Sequence, residues 1–442
     1  MALRVRQTAP ILAHAALWLL LTSSLYEGYL VLPGLAGHSL FSILAKVLIL
    51  PLAVAVVVFW YRHRPAGWLA MLAFSLFVVW VLVSFVSHPE RSYTVEYYVW
   101  SQASGWTLLA AAWLLARHSA WIAAFWQVGF PLYWLSTIVV AFWEIHTGHH
   151  LGASSVHGKP IPTAFYFDPN NLGAAIALIL PFVWFWPLAF RRRRWPLAGA
   201  ALFTLLLLYI LVKTGSRGGE LALLLDLVAL PFVLTGRARA WAASALAAAA
   251  AGLAALVVWA RHQGPIHHLP LAISKLARLP DLFTTHIPSH LPPGVAPGSV
   301  AIRWALYRSG FWALELHPFG LGPRGARRWY AYWITHKSPY NTYGIQDPHN
   351  LWLELAMNFG WIGLGLFVVG FVAVLRYAWR AARSSDALRQ GLGRAAFCGL
   401  FGFILGSLSP SSVLIGFNVM WVALALGLAS ARLPIRPDAG GP

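Results

Sequence analysis

Apolar stretches of about twenty residues recur along the chain, and a helix needs about that many to cross a bilayer. Hydrophobic residues make up 59% of the chain and charged residues only 10%, more apolar surface than one soluble core can bury. The pattern predicts an all-α polytopic membrane protein of about twelve transmembrane helices. The predicted spans are 11–30, 40–60, 67–87, 101–117, 120–143, 171–190, 196–213, 218–235, 240–260, 349–376, 393–409 and 412–431.

Positive charge collects on one predicted side of the membrane. Arginines crowd the termini and the short connections after even-numbered spans, as in Arg62, Arg64 and the run 191–194. The positive-inside rule therefore predicts that both termini are cytoplasmic. Much of the excess of 32 basic over 13 acidic residues then marks topology and attracts anionic lipid. No patch of mixed basic and aromatic residues indicates nucleic acid.

The predicted spans divide the chain into three parts. Residues 1–260 hold spans one to nine, and residues 349–442 hold spans ten to twelve with a cytoplasmic tail. Between them lies a long loop, 261–348, on the periplasmic side, where loops of this length are usually functional. The segments 271–283 and 301–316 are predicted to be amphipathic helices at the membrane surface.

Two arginines are predicted to reach the same periplasmic face. Arg217 lies in a glycine-rich turn between two spans, and Arg303 lies on the predicted helix 301–316. Alone, Arg217 could equally be an interfacial arginine paired with Glu220, and Arg303 could simply meet lipid headgroups. Together they suggest a phosphate site, because planar guanidinium groups bind phosphate through paired hydrogen bonds.

His349 is the candidate base beside them. Asp347 and Pro348 precede it, and this pair predicts a helix that starts with Asp347 as its N-cap and Pro348 at its first position. The positive end of the helix dipole would lower the pKa of His349 and keep it neutral, as a base requires. A lone histidine at such a position is otherwise most often structural.

Weaker polar signals accompany these three residues. Asp168 and Asn171 open the sixth span, where an N-cap is the minimal interpretation, and Glu354 is an acid one turn into the tenth span. The histidines at 146, 149 and 150 are interpreted as loop residues rather than metal ligands. No Asp-x-Asp motif and no Walker loop occurs, so neither a metal nor a nucleotide cofactor is predicted.

Four stretches together resemble bacterial O-antigen ligases and the related O-antigen polymerases and protein O-oligosaccharyltransferases. They lie in the family's order over residues 160–375. The stretches are Phe167-Asp168-Pro169-Asn170-Asn171, Ser216-Arg217-Gly218, Arg303-Trp304 with His317-Pro318-Phe319-Gly320-Leu321-Gly322, and His349-Asn350-Leu351-Trp352-Leu353-Glu354 with Phe359-Gly360-Trp361-Ile362-Gly363.

The resemblance implies a GT-C-like glycosyltransferase of the bacterial inner membrane with a periplasmic active site. Inverting transfer without a metal would move a glycan from undecaprenyl pyrophosphate to the lipid A-core acceptor. His349 would hold or deprotonate the acceptor hydroxyl, and Arg217 and Arg303 would stabilise the departing pyrophosphate. The candidate substrate-binding residues are Asn350, Glu354, Asn171, Asp168 and Arg308.

Three alternatives remain open at this stage. A polymerase would use two lipid-linked substrates, and a protein O-oligosaccharyltransferase would use a protein acceptor. A transporter of lipid-linked glycans is the least favoured, because the chain shows no internal repeat and its polar groups gather at one membrane face rather than at mid-membrane.

Overall fold

The computed structural model describes residues 2–26, 39–63, 66–88, 92–190, 194–262, 299–336, 347–410, 412–414 and 417–434. Within these ranges the chain is helical and contains no strand. The predicted all-α fold is therefore confirmed for the part of the chain that the structure describes. The predicted helix 271–283 lies outside it.

The helices follow one another with short connections. In chain order they are α1 (Ala2–Ser24), α2 (Leu40–His63), α3 (Trp68–Ser87), α4 (Tyr93–Leu115), α5 (Ser119–Ala124), α6 (Phe130–Thr147), α7 (Pro169–Phe185), α8 (Arg194–Thr214), α9 (Arg217–Val233), α10 (Gly236–His262), α11 (Ser299–Leu316), α12 (Gly325–His336), α13 (Leu351–Ala381), α14 (Ala387–Gly406) and α15 (Asn418–Ser430). A π-helical turn, Phe125–Gly129, joins α5 to α6, and a 3-10 turn, Trp186–Ala189, extends α7.

Each predicted span overlaps one of these helices. Among the described residues, 6 stretches are long and apolar enough to cross a membrane, and that the remaining helices also cross stays a prediction. The 6 stretches are Leu40–Phe59, Trp68–Ser87, Ser119–Thr147, Pro169–Ala189, Arg194–Thr214 and Leu351–Ala381.

Helix α7 lies in the middle of the bundle, packed against α9 and α14. In the most apolar stretch of α7, 83% of the residues are buried, whereas in that of α8 only 28% are. Helix α7 is therefore surrounded by protein, and α8 has one face exposed. Glycines allow the close approach: a Cβ on Gly219 of α9 would lie 2.7 Å from the backbone of Gly173 in α7. The starts of α7 and α9 are consequently held side by side.

Helix α13 is broken at Gly360, which the prediction of one continuous span over 349–376 did not anticipate. Gly360 has a φ of 67°, in the left-handed region, so the helix changes direction there. The residues before the break are almost all buried, whereas Trp361 and Ile362 directly after it are exposed. The part after Gly360 is about 30 Å long and could cross a bilayer by itself.

A loop from the α11–α12 connection fills the break. The amide of Leu321 donates to the carbonyl of Met357 at 2.8 Å, and the amide of Trp361 donates to the carbonyl of Pro318 at 3.0 Å. The indole of Trp80 donates to the carbonyl of Phe359 at 2.7 Å. Backbone groups released by the break are thereby satisfied, as burial requires.

Helices α11 and α12 pack as a pair on the first part of α13. Leu306, Leu314 and Tyr330 form a small apolar cluster with Leu353 and Met357. Helix α11 corresponds to the predicted amphipathic helix 301–316. This cluster fixes the face of α11 that carries Arg303 next to the start of α13.

Candidate functional site

The starts of three helices meet at one turn. The turn follows α14, and its residue Ser409 touches two of the helix starts. The Ser409 hydroxyl donates to Oδ1 of Asn170 in α7 at 3.2 Å. A Cβ on Gly218, in the first turn of α9, would lie 2.1 Å from the Ser409 side chain, so only glycine allows this approach.

The start of α13 joins the same turn through its backbone. The amide of Leu351 donates to the carbonyl of Ser407 at 3.0 Å. Nδ1 of His349 lies 3.3 Å from the carbonyl oxygen of Ser409. The histidine is therefore positioned by the end of α14 as well as by its own helix.

A side chain caps each of the three helix starts. Oδ1 of Asp168 accepts from the amide of Asn170 at 2.7 Å, and the Ser216 hydroxyl accepts from the amide of Gly219 at 3.2 Å. Oδ1 of Asn350 accepts from the amides of Trp352 and Leu353 in α13 at 3.0 and 3.2 Å. Because helix starts carry partial positive charge, their convergence favours an anion.

The prediction that Asp347 caps α13 is wrong. The helix begins at Leu351, and Asn350 is its N-cap. His349 and Pro348 precede the helix, and His349 adopts a φ of 50°. Histidine is among the few non-glycine residues enriched in this left-handed region, and the turn brings its imidazole to the Ser409 carbonyl.

The surroundings of His349 favour a neutral base. Burial lowers its pKa below the usual 6.5, and the positive charge of Arg303 lowers the pKa further, against weaker opposing effects of Ser409 and Asp168. A carbonyl oxygen only accepts hydrogen bonds, so the bond to Ser409 requires the proton on Nδ1. In the neutral ring, Nε2 then carries the free lone pair.

Arg217 lies close enough to Arg303 for its charge to affect the pKa of the Arg303 guanidinium. Burial lowers the pKa of the Arg303 guanidinium, Tyr307 and Asp168 raise it, and the charge of Arg217 lowers it. The carboxylate of Asp168 therefore lies near the Arg303 guanidinium, as does the charge of Arg217. The resulting net positive charge beside three helix starts suits a pyrophosphate.

Tyr307 is a contact that the sequence reasoning did not select. Its hydroxyl lies 3.5 Å from the carbonyl of His349 and donates to it. The pKa of Tyr307 is raised by burial and lowered by Arg303 and by a hydrogen bond with Asn350. Its position four residues after Arg303, on the same helix face, was the available signal.

The other candidates lie in different surroundings. Oδ2 of Asp168 accepts from the Ser155 hydroxyl at 3.2 Å, and Asn171 is buried directly behind this cap. Arg308 is exposed on α11. His150 pairs with the buried carboxylate of Glu144 at 3.2 Å.

Glu354 is buried in a hydrogen-bond network away from the two arginines. Its carboxylate accepts from the Ser412 hydroxyl at 2.6 Å, the Val413 amide at 3.3 Å and the Tyr98 hydroxyl at 3.3 Å. Asn358 donates to the Tyr98 hydroxyl at 2.9 Å. These bonds tie α13 to α4 and to residues 412–414.

No group of three or more histidine, cysteine or acidic side chains placed to hold a metal ion occurs within the ranges that the structure describes. The carboxylates of Glu354 and Glu144 instead accept hydrogen bonds from within the protein.

Comparison with known proteins agrees with the resemblance predicted from the motifs. Residues 202–368 match the family described as O-antigen ligase, and this range includes Arg217, Arg303 and His349. The teichuronic acid biosynthesis protein TuaE of Bacillus subtilis (strain 168) is 24% identical over 392 residues, which cover 85% of this chain and 68% of TuaE.

Proposed function

Starting from the match of residues 202–368 to the O-antigen ligase family, we propose that this membrane protein is a ligase-type glycosyltransferase. It transfers O-antigen polysaccharide from undecaprenyl pyrophosphate to a hydroxyl of the lipid A-core oligosaccharide. The observation that carries the proposal is the joint position of His349, Arg217 and Arg303 at three converging helix starts.

The chemistry is a single displacement with inversion. Nε2 of His349 takes the proton of the acceptor hydroxyl while its oxygen bonds to the anomeric carbon of the donor sugar. The bond between that carbon and the pyrophosphate oxygen breaks, and the electron pair leaves with the pyrophosphate. Arg217 and Arg303 stabilise the negative charge that grows on this leaving group.

The remaining candidates have supporting roles in this proposal. Asp168 and Asn171, at the start of α7, face the donor side, and Arg308 extends the basic surface of α11. Asn350 positions His349, since its own side chain is occupied as an N-cap. Glu354 serves the acceptor side through the network that it organises.

The site lies at the periplasmic face of the inner membrane in this proposal. Helices α7, α9 and α13 correspond to the sixth, eighth and tenth predicted spans, so all three begin on one side. With both termini cytoplasmic, as the positive-inside rule indicates, that side is the periplasm. The three helix starts meet at Ser409, which supports the assignment of all three to the same side of the membrane.

Transfer by the purified full chain in vesicles tests the role of His349. The donor is an undecaprenyl-pyrophosphate glycan and the acceptor is lipid A-core. His349→Ala is expected to lower the rate by about 10²–10⁴ without changing thermal unfolding. His149→Ala, which removes an exposed histidine, is the control and is expected to transfer normally. Full transfer by His349→Ala would contradict the proposal.

A polymerase is the second candidate, and the similarity to a protein of teichuronic acid biosynthesis favours keeping it. Both of its substrates would be lipid-linked. Deletion of the gene separates the two functions: loss of a ligase leaves bare core and accumulated lipid-linked polymer. Loss of a polymerase leaves single repeat units on the core.

A further inference from the structure

A second group of arginines lies at the start of α12. Arg324 directly precedes this helix, and Arg327 lies in its first turn. The amide of Ala326 donates to Oδ1 of Asn358 at 3.0 Å, so the start of α12 is attached to α13. Asn358 in turn bonds to Tyr98, which places Arg324 near the network of Glu354.

The loop before Arg324 is held in one conformation. Gly320 has a φ of 93°, and a Cβ there would lie 2.5 Å from the amide of Gly360. Gly322 has a φ of 79°, and a Cβ there would lie 2.4 Å from the ring of His88 at the end of α3. These close contacts and the backbone bonds to the break in α13 leave Arg324 little positional freedom.

Arg324 itself has a strained backbone. Its φ is 59°, a left-handed conformation that is unfavourable for a residue other than glycine. Its guanidinium is half-buried, and burial lowers its pKa, as does Arg327, whereas Asp347, Tyr98 and Glu354 raise it. A strained, partly desolvated arginine held by a docked loop is a feature typical of binding sites.

The two arginine groups have different surroundings. Arg303 is influenced by Tyr307, Asp168 and Arg217, whereas none of these residues influences Arg324. The second group instead lies near Asp347, two residues before His349. Burial raises the pKa of Asp347, and the charges of Arg327 and Arg324 lower it. The second group therefore lies close to the residues that directly precede His349.

We propose that Arg324 and Arg327, with the start of α12, bind an anionic group of the acceptor glycan, either a phosphate or a carboxylate. This inference rests on the proposed function. One pyrophosphate is already matched by Arg217 and Arg303, which leaves the second group for the other substrate. An inverting displacement needs the acceptor opposite the leaving group, so recognition from two separate sites fits the reaction.

The test measures the acceptor KM of the full chain reconstituted in vesicles. Arg324→Asn removes the charge but tolerates a left-handed backbone, so folding is retained. Its KM for native lipid A-core is expected to rise about 10-fold or more, with kcat and the donor KM unchanged. Arg324→Lys is expected to keep part of the affinity. Lys159→Asn removes an exposed cation of the same predicted face and is the control.

Modified acceptors identify the anion. The acceptor KM is measured with native, dephosphorylated and carboxyl-reduced lipid A-core. The acceptor that lacks the recognised anion is expected to raise the KM of the wild-type chain to that of Arg324→Asn, so that the two proteins have equal KM for it. The proposal is overturned if Arg324→Asn weakens all three acceptors alike or changes the donor KM.

A separate measurement keeps this inference distinct from the proposed function. If the wild-type chain transfers nothing, the proposed function fails. The subsite alone is then tested by measuring the affinity of the detergent-solubilised chain for native lipid A-core, without donor, by thermophoresis. About 10-fold weaker binding by Arg324→Asn supports it, and binding equal to wild type overturns it.

Discussion

The two arginine groups, Arg217 with Arg303 and Arg324 with Arg327, are held in place by different parts of the structure. Arg217 is the first residue of α9, and Arg303 lies on α11, next to the helix starts that meet at Ser409. Arg324 lies on a loop that docks into the break of α13. Arg217 and Arg303 are thus held by helices, whereas Arg324 is held by a loop whose backbone bonds to the break in α13.

This difference predicts different sensitivities. The first group depends on helix starts and their caps, several of which support the same turn. The second depends on the break at Gly360, since the loop loses its backbone partners if α13 becomes continuous. Changes in the first group should therefore affect chemistry with every acceptor, and changes around Gly360 should affect recognition of the acceptor first.

The largest expected effect is that of Arg303→Ala. Losing one of two groups that stabilise the leaving pyrophosphate should lower kcat by about 10²–10³, whichever acceptor is used. Single-turnover transfer in vesicles measures it, with Arg239→Ala, an exposed arginine of α10, as the matched control. An Arg303→Ala protein with normal kcat and only a raised acceptor KM would reverse the assignment of the two groups.

Gly360→Ala should disrupt the second group. Alanine at a φ of 67° is strained, and its Cβ would lie 2.3 Å from the backbone of Phe319, a combination that costs about 2–4 kcal/mol. The acceptor KM should rise more than the donor KM. Gly365→Ala is the control on the same helix, because a Cβ there meets nothing within 4 Å. Equal effects of the two substitutions would contradict the role of the break.

The pH dependence of transfer should distinguish the two arginine groups, because, of these arginines, only Arg303 affects the pKa of His349. Transfer requires the neutral imidazole, so it should fall as the pH drops through a pKa below 6.5. Because the charge of Arg303 lowers that pKa, Arg303→Gln should move the low-pH limb of its residual activity to higher pH. Arg324→Asn should leave the limb in place, and a shift in that variant would contradict the separation.

The smallest expected effect is that of Asn350→Ala. Loss of the cap on α13 should lower the free energy of unfolding by about 1 kcal/mol. Thermal unfolding in detergent measures it, and Asn350→Ser should restore most of the stability because serine also caps. Alanine and serine variants of equal stability would show that the cap does not hold the start of α13.

The helices that overlap the predicted spans could be located from hydropathy alone, because a crossing helix needs a long apolar run, whereas α12 (Gly325–His336) gave no such signal. The break in α13 could not, since apolar residues continue on both sides of Gly360 and hydropathy does not register a turn of the backbone. Trp361, directly after the glycine, is exposed and Phe359 before it is buried, a change that only packing reveals.

The three candidate residues of the site could be predicted from the sequence, but the residues that position them could not. Arg217, Arg303 and His349 stand out because ionisable side chains near lipid are costly and usually pair or face a cavity. In the structure the three lie near one another. Ser409 was missed because an uncharged residue acting through its backbone carbonyl carries no compositional signal. The Asp347-Pro348 pair predicts a cap at Asp347, but the left-handed turn at His349 delays the start of the helix, and Asn350 caps it.

The most direct test of the account is a structure of the full chain bound to undecaprenyl pyrophosphate. The account predicts that the guanidinium groups of Arg217 and Arg303 both lie within hydrogen-bond distance of the pyrophosphate oxygens, with Nε2 of His349 facing the position of the donor sugar. A pyrophosphate bound instead by Arg324 and Arg327, or bound away from His349, would contradict it.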